Sequence, residues 1–266
     1  MREGPNPAEL RALREVAERA VELGAWVVRA RFGETPRGRL LKGAGDHVTA
    51  ADHESEDAIR AFLERETPDV PVLGEESGGR AAERYWLVDP LDGTTNFLLG
   101  LPAVGVSVAL VAGGRPVVGA VAGPLLGLSF SAARGQGAWS EGRRLEVSDR
   151  PVEAAVVAVA FPFRRKELFP RYRAVFDRLF GEVEDVRRVG AASLDLAWVA
   201  AGVFDGFLEL SLGPWDVAAG ALLVEEAGGV VSDWRGGPGY LEGDIVAGSQ
   251  AVHEALLRLI READPA

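Results

Sequence analysis

The chain has 266 residues, of which 47% are hydrophobic and 26% charged, and a net charge of −11; it can bury a substantial core, and its acidity argues against a nucleic-acid grip built on basic surface. It contains no cysteine, which excludes disulfides, thiolate zinc sites and cysteine nucleophiles, and its three histidines (His47, His53 and His253) are too few for a histidine-rich transition-metal site. Any bound metal must therefore be held mostly by oxygen, which favours Mg²⁺ or Mn²⁺.

In chain order, Leu10, Leu13, Val16, Ala17, Ala20, Val21 and Val27 recur at helical spacing and predict an amphipathic helix over 7–31. Residues 33–47 are glycine-rich and contain Lys42, which predicts a mobile loop or a short hairpin. A second helix is expected from near Thr49 to about Glu66, followed by a short strand from Val70 to Leu73 that Gly74-Glu75-Glu76-Ser77 stops. The apolar run from Tyr85 to Val88 reads as a buried strand that runs out at Asp89 and Asp92, before a Gly93-Thr94-Thr95 turn. Strands are expected over Val104–Ala112, Val117–Gly123, Leu128–Ser131 and Arg144–Val147, with turns at Gly113-Gly114 and Gly135-Gln136-Gly137.

Pro151 marks a seam, so the expected organisation is a half of residues 1–150 and a half of residues 151–266. The second half alternates: a strand at 155–160, a helix at 167–180, a strand at 183–187, a helix at 192–202 and a strand at 206–210. A helix from Trp215 to Ala227, strands at 230–231 and 244–247, and a last helix over 250–262 complete it. The sum is a layered α/β (α+β) architecture. No stretch of about 18 apolar residues occurs, so the expectation is a cytoplasmic protein without a membrane partner. Scarce asparagine, glutamine and methionine, with arginine far above lysine, fit a thermophile and also a GC-rich genome.

Five carboxylates stand at structural transitions: Glu75 and Glu76 after one strand, Asp89 and Asp92 after the next, and Asp216 at a helix start. Each has an ordinary reading as well. Glu75-Glu76 fits a solvated loop, Asp216 an N-cap, and Thr49-x-x-Asp52 a capping box. Asp89 and Asp92 are harder to explain away, because Trp86-Leu87-Val88 leads them to the edge of the core, where a carboxylate is costly unless it holds a cation. The turn after them suits an anion, so metal plus phosphate is the chemistry this segment suggests. A haloacid-dehalogenase motif, Asp-x-Asp-Gly-Thr, has spacing one residue shorter than the Asp89-x-x-Asp92-Gly93-Thr94 found here. Arg164, Arg165 and Lys166 form a basic knot that is either a solvated face or a contact for a second phosphate.

Taken together, these segments resemble the inositol monophosphatase family, a group of Mg²⁺-dependent, lithium-sensitive phosphatases. Trp86-Leu-Val-Asp-Pro-Leu-Asp-Gly-Thr-Thr-Asn-Phe97 is similar to its first signature, and Trp215-Asp216-Val-Ala-Ala-Gly220 followed by Glu226-Ala-Gly-Gly229 to its second. Gly74–Ser77, Asp46–Asp52, Gly190-Ala-Ala-Ser193 and Asp205–Glu209 extend the likeness over nearly the whole chain. The resemblance implies an αβαβα sandwich and two or three Mg²⁺ per site, with Mn²⁺ as a substitute. Glu75, Asp89 and the Leu91 carbonyl would hold one ion, Asp89, Asp92 and Asp216 a second, and Glu75 with Glu76 a looser third. Gly93 and Thr94 would bind phosphate through backbone N–H groups; Thr94 and Asp52, helped by Glu75, would orient or deprotonate the attacking water. Asp92, Gly190, Ala192 and Glu209 would meet a phosphorylated polyol or sugar.

The implied activity is hydrolysis of inositol monophosphate by a homodimer. Fructose 1,6-bisphosphatase activity is the alternative, and a partner-binding or RNA-associated role a more distant one; no nucleic acid is expected as a ligand. Lys42, four residues before Asp46, is one residue closer to it than in many relatives, which puts a role for it in doubt.

Overall fold

A computed structural model describes residues 6–34, 40–43 and 46–263 of the chain. Helix α1 (Pro7–Arg31) starts where the sequence supplies a cap: the Asn6 side chain accepts from the N–H groups of Ala8 and Glu9, and Pro7 brings its fixed φ to the first turn. Strands β1 (Leu40–Gly43) and β2 (Asp46–Val48) pair antiparallel, the hairpin of the two options expected there. Residues 35–39 and 44–45 of that glycine-rich stretch, and the side chain of Lys42, lie outside the described residues. Helix α2 (Ala50–Glu66) opens on the expected capping box: Asp52 accepts from the Thr49 N–H, and Thr49 Oγ1 accepts from the Ala51 N–H.

Strand β3 (Val72–Gly74) begins later than the apolar pattern suggests, because Val70 is still in a turn bonded to Thr67 and Pro71 has no N–H to give a ladder. Strand β4 (Arg84–Asp92) corrects a second expectation: it does not end at Val88 but runs through both aspartates, with a register shift between Asp89 and Asp92. Helix α3 (Thr94–Leu99) follows, where only a turn was expected. Strands β5 (Gly105–Ala112) and β6 (Arg115–Gly123) are joined by Gly113 and Gly114, both at positive φ (58° and 76°), as a tight hairpin demands. Strands β7 (Leu128–Ala133), β8 (Ala138–Ser140) and β9 (Arg143–Arg144) complete the first sheet. The strand expected over 144–147 shrinks to β9, since Leu145 still bonds to Ala138 but Val147 turns away to the Ala227 carbonyl.

The second sheet draws on β10 (Val156–Val159), β11 (Asp185–Arg187), β12 (Gly206–Glu209), β13 (Val230–Ser232) and β14 (Ile245–Gly248). Between and after these strands come α4 (Phe169–Leu179), α5 (Ala192–Ala200), α6 (Pro214–Glu226) and α7 (Gln250–Ala263). The first sheet runs β3-β4-β5-β6-β7-β8-β9, antiparallel except for β3 with β4. The second runs β11-β10-β12-β14-β13, parallel from β11 to β12 and antiparallel beyond.

Helices α1 and α2 cover one face of the first sheet, and α5 and α6 fill the space between the sheets. Helices α4 and α7 cover the far side of the second sheet, so the layers read αβαβα. Three apolar cores lie between the layers. Burial on both faces explains why β4, β5 and β6 read as unbroken apolar runs rather than alternating ones. Each fully buried Leu, Val or Ile contributes about 1.5–3 kcal/mol, which makes these cores the main source of stability. Gly119 marks how closely the layers meet: a Cβ there would lie 2.9 Å from the Ala219 Cα of α6. Among the described residues no helix is long and apolar enough to cross a membrane.

Candidate active site

The site gathers at one end of the first sheet, where Glu75 follows β3, β4 bulges through Asp89 to Asp92, and α2, α3 and α6 begin. The bulge sets two residues of β4, Pro90 and Leu91, against one of β5, Val106, between the pairs Asp89 with Ser107 and Asp92 with Gly105. Gly93 then turns the chain at φ 85°; a Cβ there would sit 3.1 Å from the carbonyls of both Ala103 and Gly190. Asn96 locks this approach by donating to the carbonyls of Ala103 (2.7 Å) and Val189 (3.0 Å).

One carboxylate oxygen each from Glu75, Asp89 and Asp216 falls within 4.8 Å of the others. Asp89 is fully buried; its Oδ1 accepts from the Leu91 N–H at 3.1 Å, among the described residues no N–H reaches Oδ2, and the Asp216 carboxyl lies within hydrogen-bonding reach of the side chain. Burial, then the charges of Glu75, Asp92 and Asp216, push its carboxyl well above the usual range. Burying such charges together costs several kcal/mol each. The Arg164 guanidinium lies 4.0 Å from Glu75 but is half exposed, and a pair of that kind contributes about 1 kcal/mol at most. A proton on the raised Asp89 carboxyl or a cation among the oxygens would offset the cost, and for a cation the all-oxygen donor set suits Mg²⁺ or Mn²⁺.

Asp216 departs from the N-cap expectation. Gly213 is the cap, Pro214 starts α6, and Asp216 in the first turn reaches back to accept from the Gly213 N–H at 2.6 Å. Asp92 Oδ2 accepts from the N–H (2.7 Å) and the hydroxyl (2.6 Å) of Ser193, which ties β4 to the first turn of α5. Burial and then Asp216 raise the Asp92 carboxyl to about 6.

Asp52 serves two structures at once. Its Oδ2 holds the α2 cap through the N–H (2.8 Å) and hydroxyl (2.6 Å) of Thr49, while its Oδ1 faces Thr94 Oγ1 at 3.2 Å. The same Thr94 hydroxyl lies 3.1 Å from the Leu91 carbonyl. Burial, aided by the negative charge of Glu76, raises Asp52 to about 6 against the bonds from Thr49 and Thr94. Glu75, Asp89, Leu91, Asp92, Gly93, Thr94, Gly190, Ala192, Glu209 and Asp216 all line one pocket. Asp52 and Glu76 stand behind it, Asp52 in contact through Thr94. Glu209, at the end of β12, is raised well above its ordinary value by burial and then by Asp216.

Three further residues belong to the site, and the sequence reading assigned none of them a role. Ser193 was visible only as the end of the 190–193 segment. Arg188 lines the pocket with its guanidinium 5.6 Å over the Phe163 ring; the pair Arg187-Arg188 ahead of Val189-Gly190 was its only signal. Asp195 is buried in α5, no donor among the described residues reaches either oxygen, and burial pushes it well up. A carboxylate between Leu194 and Leu196 inside an apolar helix was the trace it left. Of the basic knot, Arg164 and Arg165 face the pocket, and Lys166 lines an adjoining apolar groove instead.

A family model described as the inositol monophosphatase family matches residues 9–264. The chain belongs to that family. It is 45% identical over 226 residues to the Nus factor SuhB of Escherichia coli strain K12, spanning 83% of this chain and 85% of that one. It is 42% identical over 237 residues to the inositol-1-monophosphatase of Mesorhizobium japonicum, spanning 87% and 89%. The crystal structure of extragenic suppressor protein suhB from Bartonella henselae superposes with a TM-score of 0.91 at 37% identity, covering 95% of this chain and 100% of that one. The αβαβα layering is therefore the fold of inositol monophosphatase and SuhB structures.

Proposed function

We propose that the chain is a Mg²⁺-dependent phosphomonoesterase that hydrolyses inositol monophosphate or a closely similar polyol phosphate. The observation that carries this reading is the Glu75–Asp89–Asp216 convergence around a fully buried Asp89, on whose Oδ2 no N–H donor lies among the described residues, beside the Gly93–Thr94 turn. Glu75, Asp89 and the Leu91 carbonyl would hold one ion, and Asp89, Asp92 and Asp216 another, with Glu75 and Glu76 near a third. Bound there, divalent ions cancel the charge of the phosphate dianion, lower the pKa of a coordinated water and stabilise the departing alkoxide.

The chain's own groups do the rest. The Gly93 and Thr94 backbone orients the phosphate. The Thr94 hydroxyl donates to Asp52, so its lone pairs face the attacking water; an acceptor raised to about 6 suits proton transfer near neutral pH. Asp92 and Glu209 accept from ring hydroxyls, and Gly190 and Ala192 leave room for the ring. Residues 1–150 would supply most metal ligands and residues 151–266 complete the site. A homodimer and sensitivity to lithium follow from the family and are part of the same proposal.

Arg164, Arg165 and Arg188 on one pocket favour a second reading, fructose 1,6-bisphosphatase activity, alone or combined. Relatives named Nus factor SuhB give a third, a partner-binding or RNA-associated role. Phosphate release from inositol 1-phosphate and fructose 1,6-bisphosphate, by wild type and Asp89→Asn, separates the first two, and a cellular phenotype that survives Asp89→Asn favours the third. We expect kcat/KM to favour the inositol ester, and the variant to lose at least about 100-fold as one charged ligand disappears. A tenfold preference for the bisphosphate supports the second reading, and turnover unchanged in the variant removes the metal assignment.

A further inference from the structure

We infer that Glu56 is a positioning residue that, with Arg60, fixes the loop carrying Glu75 and Glu76 for divalent-cation binding; this rests on the metal reading of the site. Glu56 lies on α2, one turn after Asp52, and is almost wholly buried. Its Oε2 accepts from the Glu76 N–H at 2.8 Å, and its Oε1 accepts from the Ser77 N–H at 2.9 Å and from the Ser77 hydroxyl. Arg60, the next turn on, closes the loop from the other side. It donates to the carbonyls of Val72 (3.1 Å) and Gly78 (2.9 Å) and to Ser77 Oγ (2.6 Å).

Gly74 is the mark of this clamp in the sequence: a Cβ at that position would lie 2.4 Å from the Glu56 carboxyl carbon, so only glycine lets the loop close onto it. Glu75 is thereby fixed on both sides, its own N–H on the Val88 carbonyl at 3.0 Å and the N–H of Glu76 on Glu56. The preceding residue of the helix does the same for the next segment, since Ser55 Oγ donates to the Pro90 carbonyl at 2.9 Å between Asp89 and Leu91. One face of α2 (Asp52, Ser55 and Glu56) thus sets the aim of Thr94, the Asp89 bulge and the Glu75–Glu76 loop. A carboxylate that merely stabilised the fold would cost the same with or without metal. A carboxylate that aims ligands costs affinity for the metal itself.

The test is Mn²⁺ titrated into the metal-free full-length protein, with free Mn²⁺ followed by electron paramagnetic resonance. Wild type, Glu56→Gln, Glu56→Asp and, as a control, Asp57→Asn on the exposed side of the same helix are compared. Glu56→Gln presents an amide N–H to a backbone donor and should weaken Mn²⁺ binding about 10–100-fold. The Mg²⁺ concentration for half-maximal rate should rise in parallel while kcat at saturating Mg²⁺ stays within about threefold. Glu56→Asp should recover part of the affinity, and Asp57→Asn should match wild type. Should Glu56→Gln fail to fold, Ser77→Ala decides, with about threefold weaker binding expected from loss of the hydroxyl's bond to Glu56 and of the bond it accepts from Arg60. Binding unchanged in a folded Glu56→Gln, or in Ser77→Ala if that variant decides, overturns the inference alone. A wild type that binds no Mn²⁺ overturns the metal reading with it.

Discussion

Asp52 is where a helix cap and the candidate site share one side chain, and its electrostatics can be tested directly. Its folded-state carboxyl is raised from 3.8 to about 6, with burial the leading cause. A carboxyl raised on folding binds its proton more tightly in the folded chain than in the unfolded one. Its contribution to stability is therefore fully present below about 3.8 and lost as pH climbs through about 6. That loss is on the order of 2–3 kcal/mol for a shift of this size. Metal-free Asp52→Asn should escape it: about half of that loss falls between about pH 5 and about pH 7.5, so relative to wild type its Tm should rise by about 3 °C over that range, in melts run with a chelator. A difference that stays flat over that range contradicts the burial argument. Asp52 also shows what a sequence leaves open at a single position. Thr49-x-x-Asp52 was legible as a capping box, and the box is real, yet only the fold shows that Oδ1 is left to face Thr94.

The bulged end of β4 and the short helix α3 after it decide the shape of the site, and both were hidden in the sequence. Asp89-Pro90 reads as a strand end because charge and proline usually stop strands. Here the two aspartates stay in register with β5 by spending one extra residue as a bulge. Gly93 makes the next step possible, at a φ of 85° and in contact with two carbonyls. Gly93→Ala should cost about 1–2 kcal/mol of stability, from strain at positive φ. It should lower kcat/KM by at least about tenfold, because the same backbone is to orient the phosphate. Activity near wild type in a variant with a lowered Tm would confine Gly93 to a structural part. By contrast α1, α2 and the strands β5 and β6 were legible to within about two residues at each end. Their apolar periods and caps are local signals, whereas Arg188, Ser193 and Asp195 matter only through neighbours distant in sequence.

The layered molecule explains why no single stretch of the chain contains the site. The first sheet delivers Glu75, Asp89 and Asp92, while α5, β12 and α6 bring Ser193, Glu209 and Asp216 across from the second half of the chain. Periodicity predicted the elements on both sides but could not bring Asp216 to Asp89; the order and spacing of the signature segments did, through their resemblance to a family. The convergence leaves acidic groups that repel one another in the metal-free chain, and the surrounding cores hold them there. The most direct test is anomalous diffraction from a crystal soaked in Mn²⁺ and inorganic phosphate. The account predicts Mn²⁺ peaks bounded by Glu75, Asp89 and Asp216, with phosphate oxygens against the Gly93–Thr94 backbone. A map with no peak among those three carboxylates, or with Mn²⁺ held only elsewhere, would contradict it.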